Sequence, residues 1–165
     1  MKKLCLIMVA LVAVSGCAGD KAAQKPRVCP QVAILRPLDT IENVKDDKML
    51  IAAARMDSVE GTCAYGKTGL DIQFTLAMRA VRGPALEGNS ATMPFFVAIV
   101  DKDDAARSKG LMTASFTFEK DAKEAAHAEN LHVFLPLLTS EDAAGHRVLM
   151  GFQLTKEQLG AEGGK

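Results

Sequence analysis

The chain of 165 residues has no tryptophan, a single tyrosine (Tyr65) and a formal net charge of zero. Each scarcity excludes something. Twenty basic side chains balance twenty acidic ones, which argues against a nucleic-acid partner, because phosphate binding draws on an excess of Lys and Arg. Sugar-binding sandwiches typically stack the ring on Trp or Tyr, so a chain with Tyr65 alone is poorly supplied for that task. No Gly-rich loop is read between a strand and a helix, which leaves nucleotide binding without support. G-x-S-x-G and S-x-x-K are both absent, and no cysteine stands in a catalytic context.

Metal-ligand spacing is lacking too. His127, His132 and His146 are the three histidines; the first two are neither at the i, i+4 spacing of a zinc helix nor on one face of a strand. In a strand, His132 faces away from Leu131 and Val133, toward solvent. Asp101-Lys102-Asp103-Asp104 has the acidic content of a calcium loop. The positions where such a loop requires Gly and Glu hold Ala106 and Met112, so the run reads as a solvated turn. No catalytic residue, no metal and no cofactor is expected. The chain does not read as an enzyme.

What is present is an ordered globular composition, 48% hydrophobic and 24% charged, of a length that suits one domain. Lys2-Lys3 precede an uncharged run from Leu4 to Val14. That run is too short to cross a bilayer as a helix, and it suits the apolar region of a signal peptide. Val14-Ser15-Gly16-Cys17 then resembles a bacterial lipobox. The resemblance implies that the Cys17 thiol receives a diacylglyceryl group, that the peptide is cut before it, and that the new amine is acylated. The membrane is then a partner through Cys17, and several acyl chains make such an anchor permanent. Ala18 follows Cys17 where enteric lipoproteins retained at the inner membrane carry Asp, so the resemblance favours the outer membrane, facing the periplasm.

Loss of Cys5 with the signal peptide and acylation of Cys17 leave Cys29 and Cys63 as a pair. A redox or metal pair usually sits two residues apart. These are far apart in sequence, and a structural disulfide is expected.

Residues 1–16 therefore read as signal peptide, 17–27 as a polar tether and 28–160 as one folded domain. The domain reads as strands. Leu70, Ile72, Phe74, Leu76, Met78 and Ala80 alternate with polar residues, as a half-buried strand requires. Val59, Gly61, Cys63 and Tyr65 alternate upstream, so a hairpin is predicted with its turn at 66–69. Further strands are predicted at Gln31–Arg36, Met49–Asp57, Pro94–Val100, Leu111–Glu119, Asn130–Leu135 and Arg147–Leu154. Lys120–Ala128 reads as helical turns or a loop. Thr155-Lys156-Glu157-Gln158 fits a capping box that opens a short C-terminal helical turn. The expected fold is an all-β, immunoglobulin-like β-sandwich of about seven to nine strands.

Cys29-Pro30-Gln31-Val32-Ala33-Ile34-Leu35, Gly61-Thr62-Cys63-Ala64-Tyr65, the Phe95–Asp101 segment and Gly151-Phe152-Gln153-Leu154-Thr155 resemble a group of small alphaproteobacterial envelope lipoproteins. That resemblance implies location and fold and brings no activity. In a strand, Phe95 and Phe96 face opposite sides, so one ring leaves the main core. It is either covered by a loop or second sheet, or it forms an exposed contact patch with Tyr65 as a further candidate. Two roles remain. One is a lipid-anchored structural or protein-interaction module with an envelope protein as partner. The other is a small-molecule or glycan-binding lipoprotein with a pocket near Tyr65 and the turns at 66–69 and 101–104.

Overall fold

The computed structural model describes residues 28–46, 48–137 and 142–162. The expected signal peptide, Cys17 and the tether of residues 17–27 lie outside the described residues. Among the described residues eight strands form two four-stranded sheets. They are β1 (Gln31–Ile34), β2 (Thr40–Val44), β3 (Leu50–Tyr65), β4 (Gly69–Arg82), β5 (Ser90–Val100), β6 (Ala106–Thr117), β7 (Glu124–Pro136) and β8 (Arg147–Phe152). A 3-10 turn at Asp142–Gly145 leads into β8, and a helix α1 (Lys156–Glu162) follows it. One sheet runs β1-β8-β5-β6 and the other β2-β3-β4-β7. This is the all-β sandwich expected, with its own strand order where immunoglobulin domains run ABED and CFG.

The core lies between the sheets. Phe95, Phe116, Phe118 and Phe152 are fully buried there with Leu70, Leu76, Met93 and Met150. Each such side chain contributes roughly 1.5–3 kcal/mol on burial. The six apolar residues that alternate along β4 all face inward and are buried. The hairpin partner also forms, with the Gly66 amide donating to the Gly69 carbonyl across the turn.

β3 departs from the two predicted strands by running unbroken for 16 residues. A bulge between Met56 and Ser58 inserts Asp57 as an extra residue. Inward positions are even-numbered before the bulge and odd-numbered after it, which is why one strand reads as two. Lys120–Ala128 is neither helix nor loop over most of its length: β7 begins at Glu124 and pairs antiparallel along β4. Cross-strand pairing here overrides the helix propensity of alanine. β2, which the pattern does not predict, buries only Ile41.

The loop between β1 and β2 crosses from one sheet to the other. Its Leu38 carbonyl accepts from the Phe152 amide and its Asp39 carbonyl from the Met56 amide, so the crossing is tied to both sheets. Cys29 and Cys63 form a disulfide, their Cα atoms 5.9 Å apart. It links Cys29, two residues ahead of β1 in the first sheet, to β3 in the second. The capping box also forms: the Gln158 amide donates to Thr155 Oγ1 and the Thr155 amide to Gln158 Oε1.

Candidate functional site

The bulge at Asp57 builds the first cluster of charge. A bulged residue turns its side chain out of the regular row, and the Asp57 carboxylate meets Arg79 Nε at 2.8 Å and Arg55 Nε at 3.1 Å. Partial burial pushes the Asp57 carboxyl up, but the hydrogen bonds and charges of the two guanidiniums outweigh it and hold the carboxyl below its ordinary value. The same pairing raises Arg79. Both arginines line a cleft of about 530 Å³ with Glu42, Ala53 and Val81, closed on one side by Leu154 and Gln158. Asp57 offsets one of the two guanidinium charges, and Thr40 and Glu42 complete the polar lining of the cleft.

A second area is an open depression of about 610 Å³ on the outer face of β3, β4 and β7. Register sets its rows. Thr62, Gln73 and His132 stand side by side, as do Glu60, Thr75 and Asn130. His132 Nε2 lies 2.8 Å from Asp71 Oδ1, and Thr75 Oγ1 donates to Asn130 Oδ1 at 2.8 Å. Asp71 opposes Phe134, whose ring is 47% exposed. The ring edge lies over Gly69: a β-carbon there would stand 2.6 Å from Phe134 Cζ. Glycine is required where the ring rests.

The third area is an edge. β6 pairs with β5 on one side and ends its sheet on the other. Its second half approaches β7, where Phe116 meets His127 edge-on with centroids 5.8 Å apart. Its first half has no such cover, and Ala106 through Leu111 are all exposed. Leu111 is 65% exposed. An unprotected edge presents backbone donors and acceptors to any extended chain.

The Asp101–Asp104 run is the solvated turn expected at Lys102, Asp103 and Asp104, but not at Asp101. Asp101 is 6% exposed. Burial raises its carboxyl, but the amides of Ala105 and Asp103, each at 3.0 Å, and the Arg107 guanidinium at 2.7 Å outweigh that and hold it low. Asp103 and Asp104 do face solvent, and Asp104 pairs with Arg147. Asp101 is thus an internal clamp for the β5–β6 turn.

The residues named for a contact patch do not form one. Phe95 has no exposed surface, and Phe96 is 7% exposed on the outer side of its sheet. Leu38 and the Lys109 ammonium, 4.3 Å from the ring centroid, cover Phe96. Tyr65 turns inward and its hydroxyl donates to the Val28 carbonyl. The histidines are dispersed: His127 lies against Glu129, His132 against Asp71, and His146 sits at the end of the 3-10 turn. Among the described residues no group of three or more His, Cys, Asp or Glu side chains is placed to hold a metal ion. Nor, among them, is any helix long and apolar enough to cross a membrane. Sequence reasoning missed Asp57, Phe134, the edge of β6, and the G-x-x-x-x-G-K-T letters of Gly61–Thr68, which run along β3 into the β3–β4 turn with no helix after them and so make no phosphate loop. A break in alternation at Asp57-Ser58 was the one signal available for the first.

No protein-family model, curated protein or solved structure matches the chain.

Proposed function

We propose that this chain is a lipid-anchored, non-enzymatic interaction module of the bacterial envelope, tethered through Cys17 and holding an envelope protein at the edge of β6. The exposure of Ala106–Leu111 on a strand with a partner on one side only carries the reading. Native domains usually shorten, cover or charge such an edge; here the charges of Arg107 and Lys109 are drawn to Asp101 and to Phe96 and Gln153, which leaves the main chain of the edge open. β1 and β2, the edges on the opposite side of the sandwich, span four and five residues, while β6 spans twelve. An extended partner segment adding here gains main-chain hydrogen bonds along the strand, and Leu111 offers an apolar anchor beside them. Arg107 and Lys109 on the same strand discourage a second copy of the chain, since like charges then face each other. The lipobox and Ala18 support an outer-membrane anchor.

The test is site-specific photo-crosslinking from Ser108 and Leu111 of the full chain in intact cells. Expected is one envelope protein captured from both positions, lost in Cys17→Ala, and absent when the crosslinker stands at Thr40 on the β2 edge. Equal capture from all three positions, or none above background, overturns the reading. A carbohydrate-binding lipoprotein is the second reading, favoured by the polar face around Phe134.

A further inference from the structure

We propose that the outer face of β3, β4 and β7 binds a neutral, hydroxyl-rich carbohydrate chain, with one sugar ring stacked on Phe134 beside Asp71 and the hydroxyls of the next units along β7 bonded by Gln73, His132 and Asn130. The site is separate from the β6 edge, which belongs to the other sheet.

The first argument is the aromatic ring. Phe134 is 47% exposed, much like Val44 and Met49, and a single exposed apolar side chain is ordinary; what sets this one apart is a flat aromatic ring held in a fixed seat. Its edge rests in the space left by Gly69, so the ring is supported by the β4 backbone rather than by a flexible neighbour. A supported ring with solvent-facing surface is what the apolar C–H face of a pyranose stacks upon. The scarcity of Trp and Tyr in the composition counted against such a site, but Phe134 supplies the same π-face without a hydroxyl.

The second argument is the polar surround. Asp71 opposes Phe134 directly, and Gln73 with His132 forms the next row. Asn130 with Thr75 forms the row after that. Adjacent strands stand about 4.8 Å apart and same-face rows about 6.8 Å apart along a strand, so the face offers acceptors and donors at the spacing of hydroxyls on opposite sides of one ring and on successive sugar units. The Asp71–His132 and Thr75–Asn130 hydrogen bonds hold these side chains in place while each keeps unused capacity: a second carboxylate oxygen, a second ring nitrogen, an amide NH2. Side chains fixed before binding lose less entropy on binding.

The third argument is charge. The three rows contain Asp71 and Glu60 but no Lys or Arg. Carboxylates disfavour phosphates, nucleic acid and acidic glycans, and they accept strongly from neutral hydroxyls. A protein partner fits poorly as well. Protein interfaces build on a desolvated apolar centre, and here one ring stands amid polar side chains. The depression of about 610 Å³ beside the ring is open rather than deep, as suits an internal stretch of a chain polymer more than a single enclosed molecule.

The experiment is titration of the full chain, in a sugar-free detergent, with cellotetraose, maltotetraose and N-acetylchitotetraose, followed by amide chemical shifts. Expected are shifts confined to residues 60–62, 71–75 and 130–134 with at least one of the three. Phe134→Ala should then weaken binding roughly tenfold or more, while Phe134→Tyr retains it. Gln73→Ala, which leaves the ring and its glycine seat intact, should weaken it too. Leu111→Ala, on the other sheet, should leave it unchanged. The proposal fails if none of the sugars shifts this face at roughly 10 mM, weaker than the usual range for a specific ligand. It also fails if Phe134→Ala and Gln73→Ala bind as the parent does, or if poly-glutamate shifts the same amides as strongly. None of these outcomes bears on crosslinking from Ser108 and Leu111, so the two proposals stand or fall apart.

Discussion

Asp57, the extra residue of the β3 bulge, meets Arg79 of β4 across the sheet at 2.8 Å, and the same carboxylate holds Arg55 of its own strand. A defect in strand pairing is thereby made the centre of a charge cluster. The Asp57 side chain is partly sheltered while both arginines are about half exposed, so the pairs are screened and modest. Asp57→Asn should cost about 1 kcal/mol at neutral pH.

The pH dependence of that cost has a definite sign. Partial desolvation raises the Asp57 carboxyl, the arginines lower it more, and the net folded-state value lies below 3.8. A depressed carboxylate contributes stability above its unfolded pKa and loses it as pH falls through the folded value. The difference between parent and Asp57→Asn in thermal melts should therefore be constant from pH 7 to about 5 and shrink below about 4. A gap that persists undiminished at pH 2 would place the stabilisation in shape rather than charge.

The Cys29–Cys63 disulfide spans a sequence separation of 34 and joins one sheet to the other. Closing a loop of that length should contribute roughly 3–4 kcal/mol by restricting the unfolded chain, a large part of the 5–15 kcal/mol typical of a domain. Urea denaturation of the full chain with and without reductant checks this. The double variant Cys29→Ser, Cys63→Ser should match the reduced parent. Amide exchange should rise first in β1, a four-residue edge held mainly by β8 and the bridge.

How much of this was legible in the sequence depends on how each strand is covered. β4 lies at the centre of its sheet with one face in the core, so its alternation is strict and its reading was secure. β7 pairs along nearly all of β4, yet it is the edge strand of its sheet, and of its first inward positions Ala125, His127 and Glu129 the last two are only half-buried, so polar side chains suffice there. Period-two hydrophobicity is missing there, and the alanines suggest a helix. β2 has one buried residue, too little for a pattern. Phe134 was hidden differently. Period two places it on the outward face with His132, opposite Leu131, Val133 and Leu135, but nothing in the sequence shows which side chains of β4 stand beside it. Asp71 and His132 are 61 residues apart in sequence, so their pairing needed the register of β4 against β7. The disulfide and the capping box were readable because each rests on local chemistry or on counting.

Gly151 seats Leu38 over the outer face of the first sheet. A β-carbon at 151 would stand 2.7 Å from Leu38 Cβ and 3.3 Å from the Phe96 ring. Gly151→Ala should therefore displace the β1–β2 crossing and cost about 1–3 kcal/mol. Leu38→Ala should cost less and uncover Phe96, visible as increased binding of a hydrophobic dye. Because the two positions touch, the double variant should be more stable than the sum of the single costs implies. Strict additivity in denaturant melts would mean that Leu38 is not what Gly151 accommodates.

Helix α1 has seven residues, too few to hold its shape unaided in water. Two devices secure it: the reciprocal Thr155–Gln158 cap, and the Gln158 Nε2 bond to the Glu42 carbonyl at 2.6 Å, which straps it to the outer edge of β2. They can be separated. Thr155→Ala removes the side-chain acceptor for the Gln158 amide and should destabilise the helix by about 1 kcal/mol. Gln158→Glu keeps a side-chain acceptor for the Thr155 amide and adds negative charge near the helix N-terminus, which is favourable there. It nevertheless loses the donor to Glu42 and sets a carboxylate against a carbonyl. Amide exchange of the full chain should show Leu159, whose amide donates to the Thr155 carbonyl, less protected in both variants if cap and strap both matter. If protection falls in Thr155→Ala alone, the strap is incidental and the helix stands on its cap. If it falls in Gln158→Glu alone, docking on β2 carries the order of the C-terminus, and the cleft beside Arg55 and Arg79 depends on that contact for its wall.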